Sequence, residues 1–259
     1  MRNGPMSRIT QPKHGATHTS LRGTAFAAKG VFRFSVVYFL CALVLYMLVS
    51  PFVDQSRGGF LVETSLMTLV FLAALLAIGG RLRTLVGVVL VAPALVGDWL
   101  SYWQPDLLFS AVISASGLLF IGFVAVEFLR FIMSARRVDF QVLCAGIATY
   151  LMLGLLWSYA YRLVDRLVPD SFVFTVGATS YHSMKGFNSL YFSFITLSTV
   201  GYGDIIPVSG VARMLAMMEA VFGMFYVTVL IARWFRSILR IKLAIADPLT
   251  SVVGVALLA

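Results

Sequence analysis

Six apolar runs decide what this chain can fold into. They fall near residues 32–50, 60–79, 84–103, 107–130, 140–162 and 211–234, each close to the ~20 residues that carry a helix across a bilayer. Of the 259 residues, 60% are hydrophobic and 12% charged, whereas a soluble domain carries about a quarter charged residues. The reading is an all-α, multi-pass membrane protein with six transmembrane helices. Pro51, the Gly58-Gly59 pair and Pro105 fall in the short links, where helix breakers belong. Pro93 lies inside the third run and should kink it.

A net charge of +9 raises the question of nucleic acid, but the basic residues sit at the ends of apolar runs and speak for membrane orientation. With the N-terminus inside, fifteen of the twenty Lys and Arg residues fall on the cytoplasmic side. Only Arg57, Arg162, Arg166, Lys185 and Arg213 fall outside. This bias puts both termini in the cytoplasm and the segment between runs five and six on the outer face. Residues 1–30 read as a basic, disordered tail before an uncleaved first helix. Trp157, Tyr159 and Tyr161, like Trp99, Tyr102 and Trp103, read as interfacial aromatic belts.

The outer segment carries the sharpest local signal. Residues 163–187 read as a turret of polar and aromatic residues. Asn188 or Ser189 then fits the N-cap of a short helix through about Ser198. Such a helix cannot cross a bilayer, so it must re-enter and be surrounded by protein. Its C-terminal dipole favours a cation near that end. The run Thr199-Val200-Gly201-Tyr202-Gly203-Asp204 follows. Gly201 and Gly203 allow φ > 0 at alternate positions without steric cost, which an extended segment needs if its carbonyls are all to face one way.

The stretch from Leu190 to Pro207, with its Thr-Val-Gly-Tyr-Gly-Asp core, closely resembles the pore of bacterial potassium channels. The resemblance implies passive K+ conduction across a cell inner membrane. It makes K+ the permeant ion; one chain supplies one filter sequence where a closed ring needs several, and the resemblance implies a homotetramer around one axis. It makes Thr199, Val200, Gly201, Tyr202 and Gly203 the extended selectivity filter, with carbonyl rings replacing the ion's hydration shell. Thr196, Tyr191 and Phe192 are the expected supports for the Tyr202 ring and hydroxyl. Some family members place an acid on the pore helix opposite the aspartate after the filter. Here that position is Ile195, so Asp204 must find another partner or remain solvated. The resemblance also places a gating-hinge glycine at Gly223. A close helix crossing would equally require glycine there. Helical spacing makes Met224, Val227 and Ile231 the expected lining of the inner cavity. Glu219 is an acid at membrane depth and so a functional residue by default. It either faces the cavity or supports the filter from behind through hydroxyls such as Ser198, and the supporting role is favoured.

Four helices before a pore suggest a voltage sensor, which requires a ladder of arginines on the fourth. Residues 107–129 contain no Lys or Arg, so little gating charge is expected. Asp98 and Glu127 read as acids snorkelling or paired within the bundle. The expected organisation is a cytoplasmic tail (1–30), a four-helix membrane domain (31–137), a pore domain (138–243) and a short cytoplasmic tail (244–259). Two other readings are a non-conducting regulatory subunit and the membrane subunit of a potassium uptake system. The latter carries four degenerate filter repeats in one chain, where this chain has one. No nucleophile–base or metal-ligand set points to an enzyme. Membrane lipid is the expected surrounding, with neither nucleic acid nor a small-molecule substrate as partner.

Overall fold

The computed structural model describes residues 36–53, 57–100, 107–135, 139–175 and 183–256. The expected basic tail, Tyr102 and Trp103 lie outside the described residues, as does the side chain of Asp98. The architecture is helical. In order come α1 (Val36–Phe52), α2 (Arg57–Ala77), α3 (Arg81–Leu100), α4 (Leu107–Ser134), α5 (Phe140–Leu167), β1 (Phe172–Phe174), α6 (Phe187–Leu197), β2 (Ile205–Pro207) and α7 (Gly210–Ala256). Four segments are long and apolar enough to cross a membrane: Gly58–Ala77, Ala111–Ser134, Phe140–Leu167 and Gly210–Arg236.

Several boundaries differ from the sequence reading, each for a local reason. α2 takes in Gly58-Gly59, which had been assigned to a link. At the first turn of a helix the penalty of glycine is small, because the N–H groups there have no intrahelical partner to lose. α3 continues through Pro93. α5 begins at the N-cap Asp139, whose side chain accepts from the Val142 N–H at 3.2 Å. α7 runs unbroken to Ala256, so the expected tail from residue 244 continues the helix.

Two apolar clusters organise the packing. The larger joins α1 to α5 through aromatic contacts, with Phe39 against Phe128 and Phe71 edge-on to Phe120, both at 5.2 Å between ring centroids. The smaller gathers Tyr161, Phe172, Met184, Phe192, Ile195, Ile205 and Ala212. It lies behind the segment that follows α6 and holds α5, α6, both strands and the start of α7 together.

In lipid, apolar burial alone does not drive helices together, and close packing at small residues does much of it. Gly154 of α5 is such a point, since a Cβ added there would overlap the ring of Phe194 on α6. At Gly122 on α4 the nearest atom to an added Cβ is Leu156 Cδ1 at 3.7 Å, an ordinary contact. The two positions make a matched test. Gly154→Ala should destabilise the fold by about 1–3 kcal/mol through overpacking. Gly122→Ala should be neutral or gain up to ~1 kcal/mol in helix propensity. Denaturant titration in mixed micelles measures both, and equal effects would contradict the packing described.

Candidate functional site: the segment after α6

The short helix α6 starts where its neighbours fix it. Its N-cap is Gly186, at φ 53°, with no side-chain cap. The expected caps do other work: Asn188 Nδ2 donates to the Ser183 carbonyl at 3.0 Å, and Ser189 Oγ lies 2.9 Å from Ser158 Oγ on α5. The Ser193 hydroxyl, buried on the same face, reaches the Gly154 carbonyl at 2.7 Å. α6 is thus tied to α5 at two points one turn apart on its buried face.

At its C-terminus α6 ends in a Schellman turn. The Thr199 N–H donates to the Thr196 carbonyl at 2.9 Å, and the Val200 N–H to the Ile195 carbonyl at 2.9 Å. The turn needs a left-handed residue where glycine is usual. Here it is Thr199, at φ 60°, a conformation that costs a β-branched residue about 1–3 kcal/mol. Gly201 (φ 52°) and Gly203 (φ 79°) follow, so every second residue from 199 to 203 is left-handed. The two glycines were legible as positions needing this freedom. Thr199 was missed, and its two-residue spacing before Gly201 was the available signal.

The far end of the segment is clamped by strand pairing. β1 and β2 are antiparallel, with Phe172 opposite Pro207 and Phe174 opposite Ile205. Thr175 extends the ladder: its N–H donates to the Asp204 carbonyl at 2.8 Å and its hydroxyl to the Gly203 carbonyl at 3.0 Å. The sequence reading placed residues 172–175 in a turret of polar and aromatic residues, with no strand assigned. Phe-Val-Phe facing Ile-Ile, runs of aromatic and β-branched residues, was the overlooked sign.

The Tyr191 hydroxyl is bonded to a partner other than Tyr202. It donates to Asp204 Oδ2 at 2.7 Å, so the carboxylate that lacks an acidic partner at Ile195 is held by a phenol. Phe192 is buried edge-on against Tyr161 at 4.8 Å. Thr196 is half-buried, its carbonyl used in the turn. Val200 and Tyr202 stay 52% and 73% exposed, so the described residues leave much of both side chains uncovered.

Glu219 has no exposed surface. Tyr161 Oη donates to its Oε2 at 2.5 Å and Ser193 Oγ to its Oε1 at 2.5 Å. The expected partner, Ser198, instead donates to the Phe194 carbonyl on its own helix at 2.6 Å. Tyr161 was assigned to an interfacial belt. It is fully buried, as Tyr159 nearly is, because its hydroxyl satisfies a carboxyl that would otherwise be bare at membrane depth. Gly223, one turn along α7, has no room for a side chain: an added Cβ would overlap the carbonyl oxygen of Leu197. Close approach to α6 thus accounts for the glycine. Met224, Val227 and Ile231 remain exposed at 63%, 41% and 59%.

Removing either donor leaves a buried acceptor short of a bond. Tyr161→Phe and Ser193→Ala should each lower stability by about 1–3 kcal/mol. Because both serve one carboxyl, the double variant should depart from additivity by more than 0.5 kcal/mol, roughly the limit for independent sites. Unfolding of the purified variants in micelles checks this, and strict additivity would mean the two hydroxyls do not share a partner.

Residues 145–240, which hold this whole assembly, match the model of a family described as "Ion channel". The chain is 29% identical over 89 residues to the calcium-gated potassium channel TvoK of Thermoplasma volcanium, covering 34% of this chain and 22% of the relative. It is 30% identical over 83 residues to a Rhodopseudomonas palustris protein bearing the name potassium channel protein RPA4233, covering 28% of this chain and 20% of the relative. The chain therefore spans about a fifth of the length of these relatives. Over residues 145–240, the chain is similar to the proteins of that family.

Proposed function

We propose that this chain is a potassium-selective channel conducting K+ passively through a homotetrameric pore. The observation that carries the reading is the left-handed backbone at Thr199, Gly201 and Gly203. Alternating signs of φ turn successive carbonyls of an extended segment to the same side, which a carbonyl-lined filter requires. The potassium-channel names of the two matched relatives point the same way.

The tetramer rests on surface left uncovered. Only 11% of the apolar window of α7 is buried within the chain, and Met217, Val221, Met224, Ile231 and Phe235 form one exposed stripe at helical spacing. An apolar stripe beside an exposed filter strand fits neighbouring subunits on one side and an ion cavity on the other. Met224, Val227 and Ile231 would line that cavity, and a ring of such side chains closes by dewetting. α6 serves as the re-entrant pore helix, and α1 to α5 with α7 as six spans. Glu219, held by Tyr161 and Ser193, supports the filter from behind. Positive-inside bias places both termini in the cytoplasm and the filter outside.

Liposomes containing the purified chain alone should release K+ and retain Na+. Gly203→Ala should abolish K+ release while the tetramer still assembles, since alanine at φ 79° cannot hold the left-handed backbone at comparable cost. Normal selective flux through an intact Gly203→Ala tetramer would sink the filter assignment. No flux from the wild type would favour a regulatory subunit. In planar bilayers the open probability should change little with voltage, because each gating charge contributes about 2.3 kcal/mol per 100 mV and residues 107–129 supply none that is basic.

A further inference from the structure

At the opposite end of the bundle from the filter, the end of α2, the first turn of α3 and the last turns of α4 enclose a cavity of about 340 Å³. Its walls are of two kinds. Ala77, Ile78 and Phe128 are apolar, while Arg83, Arg130 and Glu127 carry charge. The Glu127 side chain is only 8% exposed and is bonded by both guanidiniums, Arg83 at 3.0 Å and Arg130 at 3.1 Å. One arginine would neutralise it. The second leaves the cluster positive, and both arginine side chains stay open, at 61% and 71% exposure. Each approaches the carboxylate through its Nη1, and a guanidinium carries five N–H donors in a fork that matches phosphate oxygens.

The level of the cavity identifies the source of such an anion. Two of the membrane-length segments, Gly58–Ala77 and Ala111–Ser134, end at this cavity. It therefore lies where hydrocarbon gives way to headgroups, with an apolar floor for the start of an acyl chain and a cationic rim for a phosphate. We propose that this cavity binds the headgroup of an anionic phospholipid, its phosphate bridging Arg83 and Arg130 and competing with Glu127 for them. The site depends on the bundle lying in a membrane and not on whether the pore conducts.

Native mass spectrometry of the purified full-length protein, titrated with phosphatidylglycerol or phosphatidylcholine, tests the assignment. Phosphatidylglycerol should bind at least tenfold more tightly. Arg83→Gln with Arg130→Gln should erase the difference. Arg130→Gln alone, which leaves Glu127 paired with Arg83 and the fold secure, should reduce it about threefold. Glu127→Gln keeps both guanidiniums and removes their competitor, so it should tighten phosphatidylglycerol binding severalfold, an effect no merely structural ion pair would give. A double variant that keeps the preference, or a Glu127→Gln protein that binds the lipid less well, would overturn the proposal. So would full displacement of the lipid by millimolar inorganic phosphate, which would mark the site as one for a soluble anion. Because binding is read without flux, a chain that passes no K+ would refute the functional reading and leave this one standing.

Discussion

The carbonyl of Ile195 fixes the geometry on which the rest of the segment after α6 depends. It accepts from Val200 N–H at 2.9 Å and from Gly201 N–H at 3.1 Å, so one oxygen sets the direction in which the chain leaves α6. These bonds offset part of the strain of a left-handed threonine. They also mean that any movement of α6 moves the loop. The hydroxyl ties to α5, the aromatic cluster around Phe192 and the carboxyl of Glu219 are therefore one device: they keep the helix still so that its last carbonyls can aim the backbone. Beyond the loop, the β1–β2 ladder secures the other end.

What could be read from the sequence was whatever is written locally. Runs of apolar residues located the helices, because the bilayer demands length and hydrophobicity of each span independently. Gly201 and Gly203 announced their backbone angles because no other residue takes them so cheaply. The aspects that escaped depend on partners distant in the chain. Tyr161 and Glu219 are 58 residues apart, and nothing in either neighbourhood says that a phenol at a span end will turn inward to meet an acid. Residues 172–174 became a strand only because residues 205–207 lie beside them. Asn188 and Ser189 have the right chemistry for an N-cap, but α5 and the loop before α6 use it first.

The helices before the pore segment reverse the arrangement of a voltage sensor. The charge buried on α4 is an acid, Glu127, and one of its partners sits on α3. A charge neutralised on both sides and buried in a packed bundle has little reason to travel in an electric field. The bundle is nonetheless joined to α7. Arg233 of α7 donates to the carbonyl of Met133 at 3.1 Å and to that of Ala135, at the free C-terminal end of α4. Those carbonyls have no partner within their own helix, so the guanidinium satisfies groups that a helix end leaves over.

The contact at Gly223 makes two distant events into linked quantities. The backbone of α7 rests there against the carbonyl of Leu197, at the last turn of α6. α7 cannot tilt about that point without pressing on the last turn of α6 or parting from it. Whatever stabilises one arrangement of the segment after α6 then biases the inclination of α7, and the reverse holds with the same free energy. In the channel proposed above, ion occupancy of the filter would thereby act on the far end of α7 through a single backbone contact.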